Sequence, residues 1–374
     1  MAIGIICEYN PFHNGHIYHL EKVKEIAKDE PIILVMSGNF TQRGNISIIE
    51  KYDKTRIALD YGVDLVVELP FQFATQSSDY FAKGAIKILN ELKIDKLVFG
   101  SESNNINTLV DLANIQINNK DYEKVVKEEL DKGINYPTAM SNALKIITKK
   151  TISSPNDLLG LSYIKEIINN KYKIEPITIK RTNEYNSKKL EKKISSATSI
   201  REALKNNIDV SSTLPKESLN YINTFDESKF FNLLKYKIIS DKDLSIYQTV
   251  DEGLENKLKK EINNSNTLEE FINNIKSKRY TYNKITRMLT HIICSFTKEE
   301  NEINKNINYI KILGFSNKGK NYLNKIKKEV SIPIITNINK NNIYLLSLEL
   351  RIDSIYNIIT NRNDNLYNKK PIIK

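Results

Sequence analysis

Short apolar segments alternate with amphipathic ones in the first hundred residues, and this alternation restricts the possible folds more than any other feature of the chain. The apolar segments are rich in Val, Ile and Leu, as strands buried on both faces of a sheet are; they are residues 2–8, 31–37, 63–70 and 94–102. The segments between them have helical spacing and cover residues 14–28, 46–62 and 77–92. Such alternation predicts βαβ units, so we expect an α/β fold with a doubly wound parallel sheet.

The chain beyond the fourth strand continues this pattern less regularly. Residues 105–150 are mostly helical, 154–168 begin with a Ser-Pro helix-entry pair, and 173–182 predict one more strand. The polar stretch 183–193 predicts a loop, and 194–207 predict a short capped helix. Ligands of parallel sheets bind beyond the carboxyl ends of the strands, so the loops that follow the strands are expected to share one binding face.

The composition of the chain changes near residue 208. Beyond it the sequence is helical and rich in lysine, with only two short apolar runs at 309–315 and 331–336. We therefore expect two parts. Residues 1–207 form a Rossmann-like domain, and residues 208–374 form a mainly α-helical, basic C-terminal region.

Charge, cysteine content and hydropathy indicate where the chain works. The formal net charge is +11, which attracts polyanions such as nucleic acid. The two cysteines, Cys7 and Cys294, lie in different kinds of segment and predict no disulfide framework. No apolar run approaches the roughly 18 residues of a membrane-spanning helix, and the first residues lack the pattern of a signal peptide. We expect a cytoplasmic protein.

Three of the four histidines lie within seven positions, in the segment GIICEYNPFHNGHIYHL that joins the first strand to the first helix. His13 and His16 are three residues apart, so both project near the helix start, where unpaired N–H groups favour an anion. Gly15 between them lets a ligand approach the backbone closely. We predict that the two imidazoles bind phosphate and stabilise the charge that develops when an α-phosphate is attacked.

Two other interpretations of these histidines compete. A His-x-x-His-x-x-His pattern could hold zinc, but no cysteine or acidic cluster completes the set at a usual spacing, so we predict no metal site. The histidines could also have a purely structural role, and His19 in particular could do no more than support the helix.

A second segment, ISSATSIR at 194–201, is a Ser/Thr-rich turn before a helix. Its Ser195, Ser196 and Thr198 could bond phosphate, and Arg201 could neutralise it. HNGH followed at this distance by such a turn resembles the paired signatures of the HxGH nucleotidyltransferase superfamily. That superfamily shares the doubly wound domain of class I aminoacyl-tRNA synthetases and activates acids or phosphates with ATP, so the resemblance implies an ATP site.

Further segments, spread over nearly the whole chain, carry a closer resemblance. They are EYNPFHNGHIYHL (8–20), VMSGNFTQRG (35–44), DLVVELPF (64–71), FGSE (99–102), SSPNDLLGLSYIK (153–165), SATSIR (196–201), KRYTYNKITRMLTHI (278–292) and ILGFSNKG (312–319). Together they resemble the tRNA(Met) cytidine acetate ligase family. The resemblance implies that ATP and acetate, without acetyl-CoA, give acetyl-adenylate. The acetyl group then passes to N4 of the wobble cytidine in the anticodon loop of elongator tRNA(Met).

The resemblance also implies an ATP site, carried over position by position. The implied ATP-binding residues are Ile6, Cys7, Glu8, Tyr9, Asn10, Pro11, Phe12, His13, Asn14, Gly15, His16, Ile17, Tyr18, His19, Gly100, Asn156, Arg181, Ser196 and Thr198. Three of them have an ordinary alternative. Gly100 could be a strand-to-loop turn, Asn156 could cap a helix, and Arg181 could be a solvated surface residue.

The loop after the second strand, SGNFTQRG at 37–44, offers polar side chains at the same edge of the sheet. We assign Ser37, Gln42 and Arg43, with Thr41 beside them, to the acceptor side of the reaction. Their ligand could be the acetate, the cytidine base or the tRNA backbone. A polar loop with turn glycines is the alternative.

Residues 276–289 interleave cations with tyrosines on a predicted helix, and such spacing suits RNA because cations follow phosphates and aromatic rings stack on bases. The predicted tRNA-binding residues are Lys278, Arg279, Tyr280, Lys284 and Arg287. A basic solvated helix is the alternative interpretation.

The predicted chemistry asks little of the side chains. Acetate is already ionised at about pH 7, so adenylation needs orientation and charge neutralisation, with Mg²⁺ as an expected aid. The alternative function is an adenylyltransferase that joins AMP from ATP to a phosphorylated small metabolite. That reaction would not need a large basic helical region.

Overall fold

A mixed sheet runs through the centre of the molecule. The computed structural model describes residues 1–181, 194–223 and 226–374, and the loop predicted at 183–193 lies outside them. The strands within these ranges are β1 (Ile3–Cys7), β2 (Ile32–Ser37), β3 (Leu65–Leu69), β4 (Lys96–Ser101), β5 (Glu175–Lys180), β6 (Ile310–Phe315), β7 (Ile334–Ile335) and β8 (Ile372–Ile373).

The first five strands are parallel and have the order β5-β4-β1-β2-β3. The chain starts in the middle at β1, adds β2 and β3 on one side, and then returns to add β4 and β5 on the other. This is the strand order of a doubly wound Rossmann-like sheet, with its reversal point between β1 and β4. The predicted α/β fold is confirmed.

Helices cover both faces of the sheet. In the first part of the described chain they are α1 (Asn14–Ala27), α2 (Lys51–Asp60), α3 (Phe71–Ala74), α4 (Ser78–Glu91), α5 (Ile106–Asn118), α6 (Tyr122–Asp131), α7 (Tyr136–Thr148), α8 (Pro155–Asn169) and α9 (Ala197–Lys205). In the later part they are α10 (Lys216–Tyr221), α11 (Glu227–Ser240), α12 (Leu254–Glu261), α13 (Leu268–Ile275), α14 (Tyr282–Ile293), α15 (Lys298–Ile303), α16 (Asn317–Ile326) and α17 (Ser347–Thr360).

Strand β2 shows how both faces of the sheet are buried. Ile33 and Val35 pack in the cluster that contains α4 and α8, whereas Leu34 and Met36 pack in the cluster that contains α1 and α2. A strand that is apolar on both faces can only be central, which is why the continuous apolar runs of the sequence predicted this layer correctly.

The C-terminal region is mainly helical, as predicted, but it also returns to the sheet. Strand β6 pairs antiparallel with β3, with Val67 opposite Ile312, and β7 and β8 both pair with β6. Residues Ile310–Leu313 are buried at this position. Residues from beyond 310 therefore extend the sheet that the first part of the chain begins.

The helix predicted at 46–62 begins later in the structure, at Lys51. Ile46 instead forms an antiparallel bridge with Phe40, and the backbone N–H of Ser47 donates to the Asn39 carbonyl. The carboxylate of Glu50 then caps the helix by accepting from the N–H of Tyr52. The apolar spacing of the segment continues through this turn, so periodicity alone placed the helix start too early.

A second hydrophobic core lies beside the sheet. It is built from helices α11, α12, α13, α14 and α17, and two aromatic side chains insert into it: Phe40 from the loop after β2, and Phe71 from the start of α3. These two segments are therefore held between the sheet and the helices of the second half of the chain.

Buried polar groups join α17 to the sheet; we call Asn39, Lys51, Glu68 and Asp353 the α17 interface cluster. The Lys51 ammonium lies 2.7 Å from Glu68 Oε1 and 2.6 Å from Asp353 Oδ2. Asn39 Nδ2 donates to Asp353 Oδ1 at 2.9 Å, and Asn39 Oδ1 accepts from the Lys51 N–H. All four side chains are buried, and each satisfies its neighbours.

A search of the helices in the described part of the chain finds none with the length and hydropathy needed to cross a membrane.

Candidate active site

A cavity of about 440 Å³ opens where the strand order reverses, at the carboxyl ends of β1 and β4. This is the position at which doubly wound sheets bind their ligands, because the loops on either side diverge there. The predicted ATP-binding residues that line the cavity are Ile6, Cys7, Glu8, Tyr9, Asn10, His13, Gly15, His16, Tyr18, His19, Gly100, Asn156, Arg181, Ser196 and Thr198.

Four of the predicted ATP-binding residues do not line the cavity. Pro11 and Phe12 are buried beneath it, and Phe12 packs against Tyr61. The Asn14 side chain donates to the Ser212 carbonyl at 3.1 Å, and Ile17 packs in the cluster under α1. These residues shape the segment that carries the histidines.

His13 and His16 cap the start of α1 reciprocally. The Gly15 N–H donates to His13 Nδ1 at 3.1 Å, and the His13 N–H donates to His16 Nδ1 at 3.2 Å. Their rings stack with centroids 3.8 Å apart, so both imidazoles are fixed relative to the helix. The spacing His-x-x-His produces this geometry because a capping box joins the cap residue to the third residue of the helix.

The two imidazoles are neutral at physiological pH. Burial, with the charges of Arg181 and Arg201, lowers the pKa of His13 to about 3. Burial and the neighbouring His13 lower the pKa of His16 well below its usual range. A neutral imidazole carries one N–H, and Nδ1 already accepts a hydrogen bond in both rings, so the proton lies on Nε2. The site therefore holds two fixed N–H donors.

His19 lies one turn further along α1 and also lines the cavity. Burial lowers its pKa to about 4. Within the described residues, its buried Nε2 atom has no hydrogen-bond partner. A buried polar atom without a partner is costly, and this one belongs to a residue that lines the cavity, so a ligand bound there could satisfy it.

The second predicted motif lies beside the first. Ser196 caps α9 by accepting from the Ser199 N–H at 3.1 Å. Arg201 donates to the Asn10 carbonyl, which joins α9 to the loop after β1. Ser195, Ser196, Thr198 and Arg201 all line the cavity. The helix start, its hydroxyl groups and one guanidinium thus line the same cavity as the histidines.

Two acidic residues organise the end of the cavity near β4. Glu102 accepts from Asn156 Nδ2 at 2.6 Å and from the Asp157 N–H at 3.1 Å, and it lies 4.0 Å from Arg181 Nε. Asp157 accepts in return from the N–H groups of Glu102 and Ser103. Sequence reasoning gave neither residue a role. The available signal was an acidic residue directly after a strand, paired with an Asp in the first turn of a later helix.

Neither of the ordinary alternatives for Gly100 and Asn156 is found: Gly100 lies within β4 rather than in a turn, and the cap residue of α8 is Ser154 rather than Asn156. A Cβ atom at Gly100 would lie 3.3 Å from Arg181 Cγ, so the glycine allows Arg181 to cross the end of β4. Asn156 lines the cavity, and its side-chain amide is bound to Glu102.

The loop after β2 brings only part of the predicted acceptor-side set to the cavity. Thr41, Gln42 and Arg43 line it, and Gln42 Nε2 donates to the Gln76 carbonyl at 2.9 Å. Ser37 does not: it is the last residue of β2, its side chain is fully buried, and its carbonyl accepts from Lys54 Nζ at 2.9 Å. The strand alternation turns the Ser37 side chain into the core, away from the edge.

The predicted tRNA-binding helix differs from expectation in two ways. It begins at Tyr282, with Thr281 as its cap, so residues 276–281 precede the helix. The Tyr280 side chain is buried, its hydroxyl donates to Glu252, and Lys284 Nζ lies 4.5 Å above its ring. It is therefore placed to pack rather than to stack on a base. Tyr282, by contrast, is 46% exposed.

The predicted basic residues around α14 fall into two groups. Arg279 is exposed and forms an ion pair with Glu252 at 2.7 Å, and Lys278 is also exposed. Arg287 lines the cavity together with Thr281 and Asn283. Sequence periodicity assigned Arg287 to a helix face but gave no means of placing that face beside the nucleotide site.

Among the residues that the structure describes, no group of three His, Cys, Asp or Glu side chains is arranged to hold a metal ion.

Comparison with known proteins agrees with this geometry. A family model described as HIGH Nucleotidyl Transferase matches residues 1–370. A tRNA(Met) cytidine acetate ligase from a Geobacillus species is 40% identical over 89% of this chain and 88% of its own length. One from Mesomycoplasma hyopneumoniae is 43% identical over 78% of this chain and 92% of its own length.

Solved structures of Thermotoga maritima TmcAL share the fold. The apo form has a TM-score of 0.91 at 31% identity, covering 100% of this chain and 99% of that one. A form bound to alpha-thio ATP has a TM-score of 0.88 at 30% identity, with the same coverage. The chain therefore belongs to the HIGH nucleotidyl transferase family and, within it, to the tRNA(Met) cytidine acetate ligases.

Proposed function

We propose that this protein is an ATP-dependent ligase that activates acetate as acetyl-adenylate and transfers the acetyl group to N4 of the wobble cytidine of elongator tRNA(Met). The product is N4-acetylcytidine. The observation that carries the proposal is the pair of neutral histidines at the reversal point of the sheet, each with Nδ1 bound to the backbone and Nε2–H left for a ligand. The names of the similar proteins supply the substrates.

In the first step, an acetate oxygen attacks the α-phosphorus of ATP. The bond from that phosphorus to the bridging oxygen breaks, and pyrophosphate leaves with the electron pair. His13 and His16 donate from Nε2 to phosphate oxygens, and donors that are already fixed need no reorganisation as charge develops. Ser196, Thr198 and Arg201 receive the departing phosphates at the start of α9.

In the second step, the cytidine N4 attacks the carbonyl carbon of acetyl-adenylate. The bond from that carbon to the phosphate oxygen breaks, AMP leaves with the electron pair, and the proton lost from N4 passes to solvent. Gln42 and Arg43 lie on the acceptor side of the cavity, where the base enters. An anticodon loop is single-stranded, so its base can be turned outward without breaking a pair.

The two parts of the chain would bind different substrates. Residues 1–207 would hold ATP and acetate, and residues 208–374 would supply most of the tRNA surface, including Lys278, Arg279, Lys284 and Arg287. The protein would act in the cytoplasm, where its tRNA substrate is found. Acetyl-CoA would have no role, because the adenylate supplies the activated acetyl group.

Mg²⁺ would arrive with ATP. The described residues offer no carboxylate cluster for it, so phosphate oxygens and water would complete its coordination. When bound, it would neutralise charge on the triphosphate.

The experiment that tests the proposal is ATP–pyrophosphate exchange by the purified protein in the absence of tRNA. We expect exchange that requires acetate and that acetyl-CoA cannot replace. Exchange that ignores acetate but requires a phosphorylated metabolite would identify an adenylyltransferase instead. A second arm adds tRNA(Met) transcripts, and we expect acetylation of the normal transcript and none of one whose wobble cytidine is replaced by uridine.

A further inference from the structure

The loop after β2 is attached directly to helix α14. Thr286 Oγ1 donates to the Arg43 carbonyl at 2.6 Å, and one turn later Thr290 Oγ1 donates to the Gly44 carbonyl at 2.6 Å. Gly44 has a φ of +76°, and a Cβ atom there would lie 2.6 Å from both the N and Cα atoms of Arg287. The loop and the helix are thus in backbone contact at this point.

This contact brings two arginines from distant parts of the sequence together. Arg43 and Arg287 both line the cavity, and burial, together with the positive charge of Arg43, lowers the pKa of Arg287 to about 10. No carboxylate of the described residues is among the groups that shift the pKa of Arg287. Two guanidinium groups that line the same cavity offer several N–H donors to an anion bound there.

We infer that Arg43 and Arg287 together bind one backbone phosphate of the RNA, adjacent to the nucleotide whose base enters the cavity. Planar guanidinium groups suit this ligand because each can donate two parallel hydrogen bonds to phosphate oxygens. The inference rests on the proposed function and adds a defined anchoring site to it. In this scheme Thr286 and Thr290 are positioning residues that keep Arg43 opposite Arg287.

The position of the pair favours RNA over the other anions of the reaction. The nucleotide side of the cavity lies over β1 and β4, where Arg181 and Arg201 are placed, whereas Arg43 follows β2 on the opposite side of β1. Lys284 lies three residues before Arg287 on α14, and the exposed Lys278 precedes that helix. Several cations on and just before the helix that carries Arg287 suit a chain of phosphates rather than a single acetate ion.

The test compares Arg43→Ala, Arg287→Ala and the double variant in the full-length protein. For each single variant we expect about a tenfold loss in kcat/KM for tRNA. The slope of log affinity against log salt should fall by about one. Because both side chains hold the same phosphate, the double variant should lose little more than either single variant. Lys127→Ala, which removes an exposed charge on α6, is the charge-matched control.

Acetate-dependent ATP–pyrophosphate exchange without tRNA separates this site from the proposed function. If the wild-type protein shows no exchange, the proposed function fails. If exchange is present but Arg43→Ala or Arg287→Ala raises the KM for ATP or acetate in it, the pair serves those ligands and the inference is overturned. Fully additive losses for tRNA, or no losses, also overturn it. Arg287→Lys is a more conservative variant in case Arg287→Ala fails to fold. It keeps the charge but loses the two parallel hydrogen bonds, so we expect its kcat/KM for tRNA to lie between those of Arg287→Ala and the wild type.

Thr286→Val tests the positioning role. It removes the hydroxyl that holds the Arg43 carbonyl and keeps the side-chain shape. We expect a smaller loss in kcat/KM for tRNA than Arg43→Ala gives, and no additional loss when Thr286→Val is combined with Arg43→Ala. A loss of equal size in both backgrounds would contradict the role.

Discussion

The cavity and the α17 interface cluster both contain buried polar side chains, but these differ in how far their hydrogen bonds are satisfied within the protein. In the cluster, the Lys51 ammonium contacts two carboxylates, and Asn39 fills the remaining bonding positions. In the cavity, His13 and His16 use Nδ1 within the protein and keep Nε2–H for something else, and His19 Nε2 has no partner among the residues described. Groups that are satisfied internally hold the fold together, whereas groups left incomplete indicate where a ligand belongs.

We expect the largest effect from a substitution in the α17 interface cluster. Lys51→Met keeps the length of the side chain but leaves Glu68 and Asp353 buried without their cation. Removing one partner of a buried ion pair costs about 3–5 kcal/mol, so we expect the free energy of unfolding to fall by that amount in chemical denaturation. Lys22→Met removes a lysine from an exposed pair with Glu25 and serves as the control, with no measurable shift in the midpoint. A small loss for Lys51→Met would show that the cluster does not hold α17.

The next largest effect is expected from a substitution in the cavity, and it should fall on activity rather than on stability. His16→Ala removes one fixed donor from the cavity, and we expect acetate-dependent exchange to fall about 100-fold or more. Stability should fall only by the value of a helix cap, about 1 kcal/mol. The fourth histidine provides the matched control. His291 is fully buried, with Nε2 at 2.9 Å from the Thr75 carbonyl and Nδ1 at 3.1 Å from the Gln248 carbonyl.

His291→Ala should therefore show the reverse pattern. We expect it to lower the free energy of unfolding by about 1–3 kcal/mol, because the neutral ring has one N–H and its removal leaves a buried carbonyl without a donor. Exchange per folded molecule should stay close to that of the wild type. If His16→Ala and His291→Ala reduced stability and exchange in the same proportion, the distinction between the two regions would be wrong.

The smallest effect is a difference in the sign of pH dependence. Burial raises the pKa of Glu349, on α17, to about 7, so its contribution to stability is present below about pH 4.5 and is lost as the pH rises to 7. Burial lowers the pKa of His19 to about 4, so its contribution is present above about pH 6.5 and is lost as the pH falls to 4. Each change is on the order of 1–3 kcal/mol.

Glu349→Gln and His19→Gln measure these two contributions separately. Relative to the wild type, Glu349→Gln should gain stability between pH 4.5 and 7, and His19→Gln should gain stability as the pH falls from 6.5 to 4. Denaturation midpoints over this range provide the measurement. Slopes of the same sign for both variants would contradict the assigned protonation states.

The sequence predicted the cavity better than it predicted the surroundings of the cavity. The strands β1–β5, the capped start of α1 and the α9 turn depend on local patterns, and local patterns are visible in a single sequence. The Glu102–Asn156 contact and the burial of Tyr280 depend on neighbours that are distant along the chain. Ser37 shows the same limit. Side chains alternate along a strand, so a change of one residue in the end of β2 would decide whether the Ser37 side chain points into the core or towards the cavity.

The antiparallel pairing of β6 with β3 was beyond local inference for a related reason. The apolar run at 309–315 indicated a strand, but nothing in it specified a partner more than 200 residues earlier. Arg287 illustrates the functional version of this limit. Helical spacing predicted that Arg287 lies on a helix. Its position beside the cavity became clear only from the contact between Gly44 and α14.

That contact also bears on how such an enzyme can change over generations. Gly44 tolerates no side chain because the backbone of α14 occupies the space, and α14 cannot shift without moving the residues that face the reaction. The helices that we propose to face RNA are therefore not an independent module that could be moved onto another nucleotidyltransferase. New RNA targets would have to arise by substitutions on the outer surface of these helices, while the contact between the loop after β2 and α14 is retained.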